Sequence, residues 1–184
     1  FGRLAANFGA DRFGVKPDII TFAKAITNGV IPMGGVIVRE DIYEAIVNAG
    51  GQEQLVEFFH GFTYSGHPIA TAAAHAALDI FESDGIIEKT KVLDTVLEQG
   101  AHSLKGIPGV LDIRNCGVSA GFDLEPIAGN PGLRGMQVLE SCIENGILVR
   151  ITGDTVALAP PFVAKPTEVE SFIETFGKVL KKAF

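Results

Sequence analysis

At 184 residues, with 47% hydrophobic side chains, 22 glycines and a formal net charge of −7, the chain has the makeup of a buried α/β core. Disordered and fibrous classes are excluded. The acidic balance, with no run of Lys and Arg, also excludes a nucleic-acid surface, which needs clustered cations.

Residues 1–18 are rich in Gly and aromatics and read as loop and short turns, closing on Lys16-Pro17-Asp18. Proline biases Lys16 toward extended backbone, which suits entry into an apolar strand, Ile19-Ile20-Thr21-Phe22-Ala23. Lys24 ends that run and a turn, Thr27-Asn28-Gly29, follows. A second strand is expected at Val36-Ile37-Val38, then a helix over 39–49 stopped by Gly50-Gly51. Residues 52–60 favour no element. From Pro68, which suits a first helical position, an alanine-rich helix is predicted to about Ser83. It is apolar nearly all round, the pattern of a helix packed between other elements.

Beyond residue 85, Ile86, Thr90, Leu93, Leu97, Gly100 and Leu104 recur at helical spacing, and Pro108-Gly109 ends the run. Residues 110–114 and 120–124 read as strands joined at Cys116-Gly117. A helix over 132–145 is stopped by Gly146. A strand pair, 147–151 and 155–158, turns at Gly153-Asp154. Pro166 opens a last helix with Val169, Phe172, Ile173, Phe176, Val179 and Leu180 on one face. Its acids come early and its lysines late, matching the helix dipole. An α/β-like first half is thus followed by a compact α+β second half.

Three places carry chemistry. In open α/β sheets ligands gather at the carboxyl ends of strands, and a lysine held there among apolar groups can lose its proton and form a Schiff base with an aldehyde. Lys24 is either that or a solvated strand-end charge. Gly61-Phe62-Thr63-Tyr64-Ser65-Gly66-His67-Pro68 sets three hydroxyls before a helix amino end. It is either an anion site or an ordinary capped loop. Arg150, after Ile147-Leu148-Val149, either captures a carboxylate in two-pronged fashion or pairs with a neighbouring acid.

Other signals are rejected. Gly117-Val118-Ser119-Ala120-Gly121 has hydrolase-nucleophile spacing, but that motif needs a helix after the turn, and Phe122-Asp123-Leu124-Glu125-Pro126 is strand-like. The four histidines lack metal-ligand spacing. Cys116 and Cys142 form no CxxC pair, so neither a disulfide framework nor a zinc site is expected, and the setting is expected to be reducing and cytoplasmic. No apolar run reaches the roughly 20 residues that span a bilayer.

Together, the run from Pro17 to Lys24, Thr27-Asn28-Gly29 with Ile31-Pro32-Met33-Gly34, and the stretch from His60 to Pro68 closely resemble class III aminotransferases. These are pyridoxal-phosphate enzymes of fold type I. Thr63 to Pro68, with Val149-Arg150-Ile151-Thr152-Gly153-Asp154, look most like the ω-amino acid–pyruvate (β-alanine–pyruvate) branch. The likeness runs the length of the chain, with the motifs in the family's order.

The resemblance implies the PLP-dependent transferase fold, α/β plus α+β. Residues 1–65 would end the large cofactor domain, and 66–184 would be an interdomain helix and the small domain. Lys24 would hold pyridoxal 5'-phosphate and shuttle the substrate proton. Thr63, with the Phe62 backbone, would bind its phosphate across a homodimer or higher homo-oligomer. Arg150 would grip the carboxylate of pyruvate or an amino acid. No metal, membrane or nucleic acid enters.

The family's remaining cofactor contacts lie upstream of Phe1-Gly2-Arg3, so the chain is expected to be the C-terminal part of a longer enzyme, inactive alone. Ala25 and Val30 depart from residues common in the family (Gly and, in the ω-branch, an aromatic), and Val30 bears on substrate choice. The rival readings are another PLP enzyme of this fold, a decarboxylase or racemase, and a chain that dimerises without chemistry.

Overall fold

The computed structural model describes residues 1–49 and 60–184. In chain order the elements are α1 (Gly9–Arg12), β1 (Ile19–Ala23), a 3-10 turn (Lys24–Thr27), β2 (Gly34–Val38), α2 (Glu40–Ala49) and α3 (Pro68–Ser83). Then come α4 (Ile86–Ser103), β3 (Val110–Asn115), β4 (Ala120–Leu124), α5 (Leu133–Glu144), β5 (Arg150–Thr152), β6 (Thr155–Leu158) and α6 (Pro166–Ala183). The expected stop at Gly50-Gly51 and the unassigned stretch after it lie outside the described residues, apart from His60. The chain divides into two compact units: Phe1 with 13–85, and 2–12 with 86–184. No helix among the described residues is long and apolar enough to cross a membrane.

In the first unit β1 and β2 form an antiparallel pair, Ile19 opposite Val38 and Ala23 opposite Gly34. Helix α3 falls in this unit, and Pro68 occupies its first turn as expected. Its packing differs from the all-round burial the alanines suggested. Only Ala70 and Ala74, one helical turn apart, are buried, and they sit on the face turned to the 3-10 turn. Ile69 and Ile80 are exposed. The small residues from Ala70 to Ala74 allow close approach on every side, but within the described residues only one side has a neighbour.

The second unit is a four-stranded antiparallel sheet, ordered β3-β4-β6-β5, packed against α4, α5 and α6. Alternation along β4 and β6 decides the faces. Ala120, Phe122, Leu124, Val156 and Leu158 turn inward and are buried, while Gly121, Asp123, Thr155 and Ala157 turn out. Phe122 meets Phe176 of α6 edge to face, with ring centroids 5.0 Å apart. Val169, Ile173, Phe176, Val179 and Leu180 complete the inner side of α6. At its start the Lys165 amide donates to Glu168 Oε2 at 2.7 Å, closing the amino end.

Where 147–151 was expected to be strand, only Arg150–Thr152 joins the ladder. Ile147 closes α5 instead, and Leu148 and Val149 link that closure to the strand. Gly146, at φ 77°, donates to the Ile143 carbonyl, and Ile147 donates to that of Cys142. Those two bonds are a Schellman closure, which occupies the backbone just before the strand.

The hydrolase-like stretch folds as the β3–β4 turn and leads into a strand, with the Cys116 amide donating to the Ser119 carbonyl. Gly117 in that turn has φ 57°, and a Cβ there would lie 2.4 Å from both the Arg3 carbonyl oxygen and Leu4 Cα. Both contacts are backbone and cannot swing away. Gly117→Ala is therefore expected to cost about 2–4 kcal/mol from left-handed backbone plus forced displacement. Urea denaturation of the variant checks this, and an unchanged midpoint would contradict it.

Candidate active site

Lys24 sits where the chain leaves β1. Ala23 is fully extended (φ −162°, ψ −175°), and Lys24 itself adopts φ 59°, turning the chain into the 3-10 turn in one residue. Left-handed backbone is unfavourable for a residue with a long side chain, and such outliers gather where geometry serves function. The turn is fastened from beneath. Thr27 is buried and its hydroxyl donates to the Ile31 carbonyl at 2.6 Å. Ile26 beside it is buried, and the Gly29 amide donates back to the Lys24 carbonyl. The amine is exposed and without a hydrogen-bond or ion-pair partner among the described residues. Among the described residues no apolar wall closes around it, Ala23 and Ala25 being exposed as well.

The second predicted place is a closed turn. The Ser65 amide donates to the Phe62 carbonyl, and the Phe62 amide donates to Ser65 Oγ, both at 2.9 Å. The Phe62 N–H is therefore engaged within the loop, and its ring is 78% exposed beside His60. Thr63 stands at the crest of the turn, exposed, with its hydroxyl unpartnered among the described residues. The loop runs directly into α3, whose Ala70–Ala74 face meets the turn that Lys24 opens.

A groove of about 450 Å³ lies between Ile31–Gly34 and the loop, bounded by Tyr64, Ser65 and His67. Neither Lys24 nor Thr63 lines it. His67 Nδ1 is buried without a hydrogen-bond partner among the described residues. It escaped the sequence reading, which weighed that histidine only as a metal ligand. Among the described residues no cluster is placed to hold a metal.

Arg150 lies in the second unit, on the outward face of the sheet. The register aligns Arg114, Gly121, Ala157 and Arg150 in one row, and Asp112, Asp123, Thr155 and Thr152 in the next. At about 4.8 Å per strand the two arginine backbones are about 14 Å apart. They are in opposite electrostatic states. Arg114 forks onto Asp123, at 2.7 and 2.9 Å, and reaches Asp112 at 2.9 Å. The bond from Arg114, with a second from the Thr155 hydroxyl, holds the Asp123 carboxyl below the usual carboxylate range. Arg150 has no acid within ion-pair reach among the described residues. Of the alternatives for it, pairing with a neighbouring acid is the one the described residues do not provide.

The Aminotransferase class-III family profile matches residues 1–180. The chain is 41% identical over 180 residues to an omega-aminotransferase of Caulobacter vibrioides, and equally to a beta-alanine–pyruvate aminotransferase of Pseudomonas aeruginosa. Each alignment covers 98% of this chain and 40% of the relative. It is also similar, at 34% identity over 99% of its length and 36% of the relative, to a gamma aminobutyrate transaminase 1, mitochondrial, of Solanum lycopersicum. Among solved structures, a thermostable (S)-enantioselective omega-transaminase from Thermomicrobium roseum superposes with a TM-score of 0.88 at 32% identity. That match covers all of this chain and 41% of the other. The chain thus spans about two fifths of the length of the curated relatives it matches.

Proposed function

The chain belongs to the class-III aminotransferase family, and from that premise we propose that it carries part of the active site of a pyridoxal-phosphate-dependent transaminase. The enzyme passes an amino group from an ω-amino acid or small amine to pyruvate. The observation that carries the reading is the unpartnered Lys24 amine, held at φ 59° at a strand end by the buried Ile26 and Thr27.

The donor set fits this cofactor. It needs an amine for the aldehyde, hydroxyl and amide donors for the phosphate, and a cation for the substrate carboxylate. Lys24, Thr63 and Arg150 are of those kinds, and each is free of competing partners among the described residues. When bound, the cofactor supplies an electron sink for the pair released as the donor C–H bond breaks.

Lys24 Nζ would hold the cofactor by its aldehyde group. As a free amine, Lys24 Nζ would take the proton from the amine-bearing carbon of the donor and return one to the cofactor's aldehyde-derived carbon. Thr63 would donate its hydroxyl, from the crest of its turn, to the phosphate held by a second copy of the chain in a homodimer or higher homo-oligomer. The engaged Phe62 amide leaves the Thr63 hydroxyl as the main contact from that turn. Arg150 forks onto the carboxylate of pyruvate or of an amino-acid donor. Relatives named for β-alanine, for ω-amino donors and for γ-aminobutyrate support a short donor with a terminal amine.

Borohydride reduction of the cofactor-loaded, full-length enzyme tests the reading, since it fixes the cofactor on whichever lysine bears it. Peptide mapping is expected to find the label on Lys24. Pyruvate should be converted to alanine one for one with donor consumed, with no carbon dioxide released. A label elsewhere removes Lys24, and release of carbon dioxide makes the enzyme a decarboxylase.

A further inference from the structure

We propose that Asp154 positions Arg150 for its carboxylate by latching the β5–β6 turn onto the amino end of α5. The inference rests on the reading of Arg150 above. Strand β5 is three residues long and lies at the sheet edge, so among the described residues its only ladder is to β6, through Arg150–Ala157, Ile151–Val156 and Thr152–Thr155. Three pairs on one side leave a strand weakly fixed, and a fork that must meet a carboxylate tolerates little displacement.

The latch lies at the far end of the hairpin. Asp154 Oδ2 accepts the Gly132 amide at 2.7 Å and Oδ1 accepts the Gly135 amide at 3.0 Å. Gly132 is the residue before α5, and no side chain of its own caps the helix. Asp154 therefore supplies the capping carboxylate from 22 positions away, favoured there by the open amides and the helix dipole. These backbone bonds hold its carboxyl below the usual range, so it stays ionised at neutral pH.

The turn also sits directly on the helix. A Cβ at Gly135 would come 2.1 Å from the Gly153 carbonyl oxygen. The Asp154 carbonyl in turn accepts the Leu124 amide of β4. At the other end the Schellman closure of α5 delivers the chain into β5. Arg150 thus stands on a strand tied to one helix at both ends, and among the described residues Asp154 is the only side chain that hydrogen-bonds across that tie.

The test uses the full-length, cofactor-loaded enzyme with Asp154→Asn, Asp154→Ala, Gly135→Ala and Arg150→Ala. With one carboxylate-free amine donor, KM and kcat are measured for pyruvate and for an aldehyde acceptor lacking a carboxylate. Calorimetry gives the Kd of propionate as a dead-end ligand.

Asp154→Ala and Gly135→Ala are expected to raise the pyruvate KM and propionate Kd about tenfold, with the aldehyde KM within about twofold. Asp154→Asn, keeping one acceptor oxygen, should fall between Ala and the parent. In an Arg150→Ala background, Asp154→Ala should add nothing further to the propionate Kd, because the two act as one unit. A plain helix cap would weaken both acceptors alike or add its effect in that background, and either result overturns the proposal. If Arg150→Ala itself shows no carboxylate selectivity, the reading of Arg150 fails and the proposal with it. If Arg150→Ala is selective while every Asp154 and Gly135 variant is silent, the proposal alone fails.

Discussion

Replacing Lys24 by alanine in the full-length, cofactor-loaded enzyme is expected to lower transamination by at least about a thousandfold, from loss of both the covalent anchor and the proton carrier. Added ethylamine should restore a small part of the rate, because a free amine can carry the proton that Nζ carried. Arginine at the same position separates charge from chemistry. Its guanidinium keeps the positive charge, but with a pKa above about 12 it neither adds to an aldehyde nor gives up a proton. Lys24→Arg is therefore expected to be as dead as Lys24→Ala, and retention of more than about one hundredth of the activity would sink the assignment.

Glycine at position 24 makes a sharper claim. At φ 59° the backbone favours glycine over lysine. Relief of the left-handed conformation, set against glycine's greater entropy in the unfolded chain, should leave Lys24→Gly between neutral and about 1 kcal/mol more stable. A substitution that removes the activity without weakening the fold is what a strained functional position should give. Thermal denaturation beside the assay reads both. Loss of stability with Lys24→Gly would mean that the lysine side chain, rather than its backbone, holds the turn together.

The inner architecture of the second unit was legible because burial there writes itself as alternation. Ala120, Phe122 and Leu124 turn in while Gly121 and Asp123 turn out, and α6 shows its inner face at every third or fourth residue. The three candidate residues, Lys24, Thr63 and Arg150, stood out by type and by place in the chain. Their states did not.

Arg114 and Arg150 are the same residue type in one row of the sheet, and only one is quenched. The regular register of the β3–β4 hairpin sets Arg114 diagonal to Asp123 and Asp112 across from it, and beyond Asp112 an irregularity leaves Leu111 65% exposed. No periodicity announces such a bulge. The left-handed backbone of Lys24 carries no glycine or asparagine to betray it. The Asp154 latch spans 22 positions to a helix whose own start offers only glycine, so no local capping pattern marks it. The Ile147-Leu148-Val149 run reads as strand because it is apolar and two of its three residues are β-branched. The helix closure before it took precedence, since two backbone bonds were already committed there.

Phe122→Ala is expected to destabilise the second unit by about 3–5 kcal/mol, the range for removing a fully buried ring that its surroundings cannot close over. Phe122 has no exposed surface, lies between Ile113 and Val156 on neighbouring strands, and faces Phe176 on α6. Strand and helix backbones both border the space left, and neither can move in without breaking its own ladder. Leucine should recover most of the loss by refilling the volume, but not the edge-to-face contact, worth about 0.5–1.5 kcal/mol. A double-mutant cycle with Phe176→Leu isolates that term, because the two rings touch and their losses should not add.

Activity should behave oppositely to the Lys24 series. Phe122 reaches no reacting group, so kcat per folded molecule should hold while the urea midpoint falls. A kcat that dropped with the fold intact would mean that the buried sheet layer governs the outward row bearing Arg150 more tightly than its backbone register alone requires.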